Sequence, residues 1–470
     1  MTLRLHDTMS RQLREVVPLE PGHVRMYTCG PTVWNRAHIG NLRTFVFEDV
    51  LRRVLEQRFE KVTHVMNLTD VDDRILNNAR AAGHTLDEET APWIAAFFED
   101  IDTLGIRRAH HYPRATEYID EMVALIERLE SKGVTYRSDS SVYFHIAAFP
   151  KYGRLSGLDA AALRTGASGR IDADDYTKED ARDFALWKAA HPEDIGWQTR
   201  LGRGHPGWHI ECSTMVLVLL GESIDIHGGA VDLIFPHHEN EIAQSESATG
   251  KRFAQIWVHA NFLNIDDAKM SKRLGNFKFL PELLKEHRPS AVRFLLAAAA
   301  HYRKLVNFSF EPLDAAAAQV EAIAIFQDRL YDATVARGAS DAGVEIAREY
   351  TQRFDAALDD DLNLPLGVGD FSIAMREANR LLDSGSISRA SQEALLALLH
   401  RADDVIGVLP LVDRERAAAL DDETRALLDQ RVQARAKRDY QLSDRLRTEL
   451  RERGVVVDDT PQGQRWRPAS

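Results

Sequence analysis

The opening stretch of the chain switches between two hydrophobic periods. Val24-Arg25-Met26-Tyr27-Thr28-Cys29 reads as a strand that Gly30-Pro31 turns away from, and apolar residues then recur at helical spacing over residues 42–55. Val62-Thr63-His64-Val65-Met66 reads as a second strand. Strand, helix and strand make a βαβ unit, the building block of doubly wound parallel sheets that bind nucleotides at the carboxyl ends of their strands. The loop after the first strand is therefore where a site is expected.

From about residue 112 to 191 the pattern changes. A helix around residues 116–132, short strand-like runs such as Val142-Tyr143-Phe144, and a polar stretch around residues 172–180 predict an insertion in the sheet. Sheet-like sequence returns at Ile224-Asp225-Ile226-His227-Gly228-Gly229 and at Gln255-Ile256-Trp257-Val258-His259. Beyond Phe310 the chain is alanine-rich and helical through about residue 408. Near the end, Arg431, Arg435 and Arg438 recur at helical spacing, followed by Gly454-Val455-Val456-Val457-Asp458-Asp459 and Trp466. This predicts a small separate module, its helix either presenting one basic face or carrying ordinary solvated charges.

Composition narrows the class. With 470 residues, 44% of them hydrophobic, the chain is long enough for about three domains with substantial cores. A net charge of −13 argues against indiscriminate adhesion to polyanions and leaves room for a nucleic acid held on a local basic face. Met1-Thr2-Leu3-Arg4-Leu5-His6-Asp7 has no apolar core of a signal peptide, and no run approaches ~18 to 20 apolar residues, so neither secretion nor membrane insertion is expected. Two cysteines in so long a chain fit a reducing cytoplasm.

Those cysteines, Cys29 and Cys212, each sit in a segment rich in Gly, Pro, Trp and His. Pro236-His237-His238-Glu239-Asn240-Glu241 adds His237 and Glu241 at i and i+4 after a proline suited to a first helical turn, which points both side chains one way. Two thiolates, an imidazole and a carboxylate suit tetrahedral zinc. The same residues also fit two buried apolar thiols and a helix-capping His pair. His38-Ile39-Gly40-Asn41 lies between the first strand and its helix, where free N–H groups and the helix dipole attract phosphate. Gly40 lets a ligand approach the backbone, and His38 and Asn41 offer hydrogen bonds to a phosphate as charge builds on it. Lys269-Met270-Ser271-Lys272-Arg273 supplies cations and a hydroxyl after a polar loop, either to clamp a triphosphate or as a solvated basic turn. No G-x-x-x-x-G-K-[ST] segment offers a rival phosphate site.

Taken together these residues resemble the cysteinyl-tRNA synthetase family of class I aminoacyl-tRNA synthetases, nearly end to end. The likeness rests on Tyr27-Thr28-Cys29-Gly30-Pro31-Thr32-Val33 with His38-Ile39-Gly40-Asn41, on Asn67-Leu68-Thr69-Asp70-Val71-Asp72-Asp73, and on Asp183-Phe184-Ala185-Leu186-Trp187-Lys188. Gly207-Trp208-His209-Ile210-Glu211-Cys212-Ser213, Phe235 through Glu241, the Lys-Met-Ser-Lys segment, Phe354-Asp355-Ala356-Ala357-Leu358-Asp359-Asp360-Asp361-Leu362-Asn363 and Asp459-Thr460-Pro461-Gln462-Gly463-Gln464-Arg465-Trp466 extend it.

The resemblance implies an α/β fold: a class I synthetase Rossmann-like parallel sheet with an inserted connective domain, then a helical anticodon-binding domain and a small C-terminal α+β module. The implied division is 1–111 and 201–262 for the two halves of the Rossmann domain, 112–200 for the insertion and 263–345 for the Lys-Met-Ser-Lys and stem-contact region. Residues 346–410 would be the helical domain and 411–470 the anticodon-recognition module. It implies one Zn²⁺ on Cys29, Cys212, His237 and Glu241 that binds the substrate thiolate, with Thr69 and Trp208 lining the cysteine pocket and Asp232 on the substrate ammonium. Mg²⁺ would enter with ATP. ATP would meet His38, Gly40, Asn41, Lys269, Ser271 and Lys272, of which His38, Asn41, Lys269 and Lys272 would be catalytic. The implied partners are ATP, L-cysteine and tRNA(Cys), with Arg431, Arg435 and Arg438 on RNA phosphates, in a cytoplasmic monomer with no membrane contact. Three positions depart from the family pattern: Asn41 stands where histidine is common, Arg273 where serine is usual, and Ala230 where a third glycine is usual. Two other readings remain open here, a paralogous ligase joining cysteine to an amino sugar and a catalytically silent binder of zinc or tRNA; the C-terminal module argues against the first, and intact His38, Lys269 and Lys272 argue against the second.

Overall fold

The strands read from the opening pattern assemble into one four-stranded parallel sheet in the order Ala254–Ala260, Ile224–Ala230, His23–Thr28, Lys61–Met66. The computed structural model describes residues 2–158, 183–265, 268–269, 278–460 and 463–468. Ile224–Ala230 is buried along nearly its whole length, as expected of a parallel strand covered on both faces. The helix Ile39–Arg58 crosses between His23–Thr28 and Lys61–Met66. Because the chain enters at His23–Thr28, grows outward to Lys61–Met66 and later returns on the other side, strand order reverses between His23–Thr28 and Ile224–Ala230. That reversal opens the crevice at which doubly wound sheets bind ligands.

One edge of the sheet is covered by a hairpin of Arg4–Asp7 and Gln12–Glu15. Thr8 N–H donates to the Trp257 carbonyl at 2.8 Å, and Trp257 N–H donates to the Asp7 carboxylate at 2.9 Å. Covering an edge in this way blunts it as a template for another chain.

The insertion carries the helix Ile119–Ser131 and a five-stranded antiparallel sheet ordered Thr135–Ser138, Ser141–Phe144, Phe184–Ala189, Gly202–Pro206, Trp197–Thr199. Gly202–Pro206 pairs with Phe184–Ala189, so this sheet runs past residue 200 before the chain rejoins the parallel sheet. The polar stretch around residues 172–180 lies outside the described residues.

Helices Phe310–Asp332, Ala342–Asp359, Leu364–Asp383, Arg389–Ile406 and Leu409–Ala418 follow. They share one hydrophobic core with the sheet: Val46, Val50 and Val54 of the crossover helix belong to the same cluster as Leu395, Leu399 and Ile406. The C-terminal module, helices Asp422–Ala436 and Tyr440–Glu452 with the hairpin Val455–Thr460 and Gly463–Pro468, closes a core of its own around Leu427, Leu446, Leu450, Val455 and Val457.

Within that module one expectation is corrected. Arg431 does not stand on an RNA-facing surface. It shares the inward face of its helix with Leu427, Leu428 and Ala434, is 1% exposed, and donates to Asp459 at 3.0 Å and to Gln464 at 2.8 Å. Arg435 also pairs with Asp459, at 3.0 Å, while Arg438 is exposed. The helical period that aligned the three arginines carries the first of them onto the apolar stripe. Among the described residues no helix is long and apolar enough to cross a membrane.

Candidate metal and nucleotide site

Cys29 is the first residue beyond the strand His23–Thr28, and its N–H donates to the Gly228 carbonyl of the neighbouring strand at 3.2 Å. It therefore stands in the crevice. The next residue is necessarily glycine, since a Cβ on Gly30 would lie 1.9 Å from the Asn67 carbonyl oxygen. Cys212 reaches the same point from the first half of the helix Trp208–Leu219, and the two Sγ atoms are 3.8 Å apart.

The remaining donors arrive by a route that sequence reading described differently. Pro236 does not open a regular helix; residues Ile234–His238 form an irregular turn with Phe235 extended, and the helix proper is Glu239–Thr249. The side chains converge nonetheless, with His237 Nε2 2.9 Å from Glu241 Oε1. Donor atoms of Cys29, Cys212, His237 and Glu241 all lie within 4.8 Å of one another, and all four residues are buried. A second, overlapping group of Cys29, His227, His238 and Glu241 satisfies the same limit.

The electrostatics of the two groups differ. Burial opposes charge on every one of these groups, yet Cys29 and His237 bring the Cys212 thiol down to about 6. Against the same burial, His227 and His237 bring the Glu241 carboxyl down to about 2, and Glu241 and Cys212 raise the His237 imidazole to about 10. Burial pushes the Cys29 thiol well up, with Cys212 adding to it. Burial and the neighbouring imidazoles hold His238 well below its usual value, hence neutral. A thiolate and a carboxylate are charges that a divalent cation would neutralise, and the proton on His237 is the positive charge it would displace.

Around the donors lies a collar of further groups. His227 Nε2 is 2.8 Å from the second oxygen of Glu241, and His238 Nε2 is 3.3 Å from Cys29 Sγ. His238 Nδ1 meets His259 Nε2 at 2.8 Å, and His259 Nδ1 meets the Thr8 hydroxyl at 2.7 Å. His209 Nδ1 is 3.0 Å from His237 Nδ1, which orients the ring so that Nε2 faces Glu241. Trp208, 38% exposed, stacks on His237 with ring centres 4.3 Å apart and so roofs the cluster.

Thr69 is buried beside the Cys29 loop; its hydroxyl donates to Glu211 at 3.0 Å and accepts from Asn67 at 3.0 Å. Glu211 immediately precedes Cys212. Asp232 lies in the turn Val231–Leu233 directly after the strand Ile224–Ala230, partly exposed. His38 is the N-cap of the helix Ile39–Arg58, with Gly40 in its first turn: His38 Nδ1 accepts from Asn41 N–H and Asn41 Oδ1 accepts from His38 N–H, each at 3.2 Å. With Nδ1 accepting, the neutral imidazole carries its proton on Nε2, and the Asn41 amide keeps its N–H₂ as donor.

Ser271 and Lys272 lie outside the described residues. The backbone of Lys269 does not: Ala268–Lys269 pairs with Leu263–Ile265, placing Lys269 opposite Asn264. At the far end of that segment Ile39 N–H donates to the Lys278 carbonyl at 2.9 Å, and Phe279 bridges His38. Residues 278 and 279, downstream of the Lys-Met-Ser-Lys segment, therefore stand at the start of the helix that His38 caps.

Residues 15–318 match the family described as tRNA synthetases class I (C) catalytic domain, 353–410 the DALR domain, and 417–467 the cysteinyl-tRNA ligase anticodon binding domain. The chain belongs to the cysteinyl-tRNA synthetases. Its similarity to individual members of the family runs end to end. The cysteine–tRNA ligase of Koribacter versatilis (strain Ellin345) is 43% identical over 496 residues, covering 99% of this chain and 100% of that protein. That of Solibacter usitatus (strain Ellin6076) is 44% identical over 469 residues, with 99% and 100% covered. The Mycobacterium tuberculosis methionyl-tRNA synthetase in complex with methionyl-adenylate shares the fold, with a TM-score of 0.61 at 15% identity over 87% of this chain and 96% of that one.

Sequence reading of this synthetase missed the collar of His227, His238, His259, His209, Glu211 and Thr8. One signal was present, the odd density of histidine near strand ends. What it lacked was register: Gly229 stands opposite His259 and His227 opposite Trp257.

Proposed function

We propose that this chain, as a cytoplasmic monomer, activates L-cysteine with Mg-ATP to cysteinyl-adenylate and transfers the cysteine to the 3′ end of tRNA(Cys), with one zinc on Cys29, Cys212, His237 and Glu241. The observation that carries the reading is the 3.8 Å separation of the two sulfurs within a buried Cys, Cys, His, Glu cluster at the sheet's switch point. A tetrahedron with Zn–S bonds of ~2.3 Å has an S···S edge of ~3.8 Å, so the donors fit the ion without rearrangement of the thiols. The overlapping group with His227 and His238 would forgo Cys212, the thiol already inclined to ionise. Bound zinc supplies a soft acceptor for the substrate thiolate that a serine hydroxyl does not satisfy.

Every other task falls to the chain. Thr69 and Trp208 bound the cysteine pocket and Asp232 takes the substrate ammonium. The cysteine carboxylate attacks the α-phosphate and pyrophosphate leaves; a ribose hydroxyl of the tRNA then displaces AMP from the adenylate. His38 Nε2–H, the Asn41 amide and the N-terminus of the helix Ile39–Arg58 donate to the phosphate as charge builds, while Gly40 admits it to the backbone. Lys269 and Lys272 close on the β- and γ-phosphates, Lys272 most directly, and Ser271 adds a hydroxyl to the ATP site. The acceptor reading is supported by the match of residues 417–467 to the family's anticodon binding domain.

The test is transfer of labelled cysteine to purified total tRNA with ATP and Mg²⁺, scored as acid-precipitable counts beside a serine control. Counts with cysteine alone are expected. Cysteine-dependent pyrophosphate exchange without transfer to tRNA would refute the acceptor, and equal counts with serine would refute selection at the metal.

A further inference from the structure

Arg43, one turn into the helix that His38 caps, is 2% exposed. Among the described residues its guanidinium has no carboxylate partner and meets only backbone carbonyls: Asn261 at 3.3 Å, Phe262 at 2.7 Å, His301 at 3.4 Å and Lys304 at 2.8 Å. Burying a cation is costly, and an aliphatic side chain would fill the same space. What a guanidinium adds is geometry, because its planar fork holds two separate stretches of backbone in fixed relation to one helix.

The second stretch, residues 301–304, is also held by Asp361 of the helical domain. Asp361 accepts from Tyr302 OH at 2.5 Å, from Arg303 Nε at 2.6 Å and from His6 N–H at 2.8 Å, and its carbonyl accepts from His301 Nε2 at 2.9 Å. Tyr302 also stacks on Phe47, one turn beyond Arg43 on the same helix, with ring centres 4.3 Å apart. Asp361 and Leu362 both adopt the left-handed region, at φ 62° and 53°, a conformation that ordinary residues hold only when their surroundings impose it. Residues 301–304 lead into Val306–Phe308, which pairs in parallel with Leu263–Ile265, and Leu263–Ile265 in turn pairs with Ala268–Lys269 at the entrance to the Lys-Met-Ser-Lys segment.

We infer that Arg43 and Asp361 are positioning residues for adenylate formation: through residues 301–304 they fix where the strand entering the Lys-Met-Ser-Lys segment stands relative to the helix that begins at His38. The inference rests on the proposed function. It makes the helical domain part of the mount for the ATP site, with Asp361 as the contact through which that domain acts. Cys29, Cys212, His237 and Glu241 stand on elements that neither guanidinium nor carboxylate of this linkage contacts, so cysteine binding should respond far less than ATP binding.

The experiment measures cysteine-dependent ATP–pyrophosphate exchange on the full-length, zinc-loaded protein, with KM for ATP and for cysteine determined separately. Arg43→Lys keeps the charge and loses the fork; Asp361→Asn keeps the shape and loses the ion pair with Arg303. A misplacement near 1 Å costs ~10²-fold, so each variant is expected to lose on the order of 10- to 100-fold in kcat/KM for ATP while KM for cysteine stays within about two-fold. Because both act on one segment, the double variant is expected to be little worse than the poorer single one. Arg58→Gln is the control: Arg58 joins the same helix to the helical domain through Asp359 at 2.8 Å and Asp355 at 3.4 Å rather than through residues 301–304, and should leave both KM values unchanged. Unchanged kcat/KM for ATP in both variants, or parallel losses for ATP and cysteine shared by Arg58→Gln, overturns the linkage. A wild-type protein without cysteine-dependent exchange overturns the proposed function, and the inference with it.

Discussion

Gly30→Ala should weaken binding of the proposed zinc from a position that is not itself one of its proposed ligands. A Cβ there would sit 1.9 Å from the Asn67 carbonyl oxygen and 2.9 Å from Met66 Cγ, while real Cβ contacts are essentially never under 3.0 Å, so the loop must open by roughly 1.1 Å. Backbone is the obstacle, and a rotamer change cannot relieve it. Cys29 is bonded to Gly30 and moves with it, whereas zinc–ligand distances tolerate only ~0.2 Å. The same loop is tied to Asn67, whose carboxamide accepts from Gly30 N–H at 3.0 Å and donates to Thr69, so the pocket wall is disturbed together with the ligand. The overpacking should cost about 1–3 kcal/mol of stability. A displaced ligand should weaken metal binding by at least the ~10- to 100-fold that loss of a supporting contact brings. Zinc content after dialysis against a graded chelator measures the second, thermal unfolding of the metal-free protein the first, and KM for cysteine should rise while KM for ATP does not. A Gly30→Ala protein that keeps one zinc against the same chelator as wild type, with an unaltered KM for cysteine, would refute the reasoning.

Further outcomes follow from the same contacts. Lys272→Ala should lower ATP–pyrophosphate exchange by ~10² to 10³ with zinc retained, as removal of one transition-state donor does; near-normal exchange would remove Lys272 from the phosphate site. Trp208→Ala removes the ring stacked on His237, an interaction of ~0.5–1.5 kcal/mol, and should raise KM for cysteine roughly 2- to 10-fold, read from exchange kinetics. Burial, with Arg52 and His110, lowers His64 to about 3 from 6.5. A depressed value means stability fully present above 6.5 and lost as pH falls toward 3, because the unfolded chain binds the extra proton. The acid limb of unfolding free energy against pH should therefore be shallower by ~1.4 kcal/mol per pH unit in His64→Gln, and an unchanged slope would count against it. Arg431→Met strips Asp459 and Gln464 of their buried partner and should loosen the C-terminal module by ~1.5–3 kcal/mol, seen as faster amide exchange in Val455–Thr460; weaker tRNA binding with unchanged exchange would mean that Arg431 meets RNA directly.

The sequence by itself determined what depends on neighbours along the chain. Hydrophobic period marked the strands and the crossover helix, because burying one face of an element demands it. Ligand chemistry grouped Cys29, Cys212, His237 and Glu241 as one of two readings, beside buried apolar thiols and a helix-capping His pair, and the motif order from His38 through Lys272 pointed to the family. Tertiary structure decided whatever depends on distance between remote segments. Which cysteine and which histidine share a point in space follows from strand order and from helix packing across a crevice, so the collar of His227, His238 and His259 could not be read from spacing. Pro236 looked like a helix opener, and the packing around it made an irregular turn that still brings His237 to Glu241. Arg431 looked solvated, yet its position on a helix whose stripe is buried turned it inward. Arg43 and Asp361 looked ordinary, and only the meeting of three segments from opposite ends of the chain made them partners of one stretch of backbone. Periodicity is local because it records one element's own burial; register and packing are relations between elements, and they exist only once the chain has closed on itself.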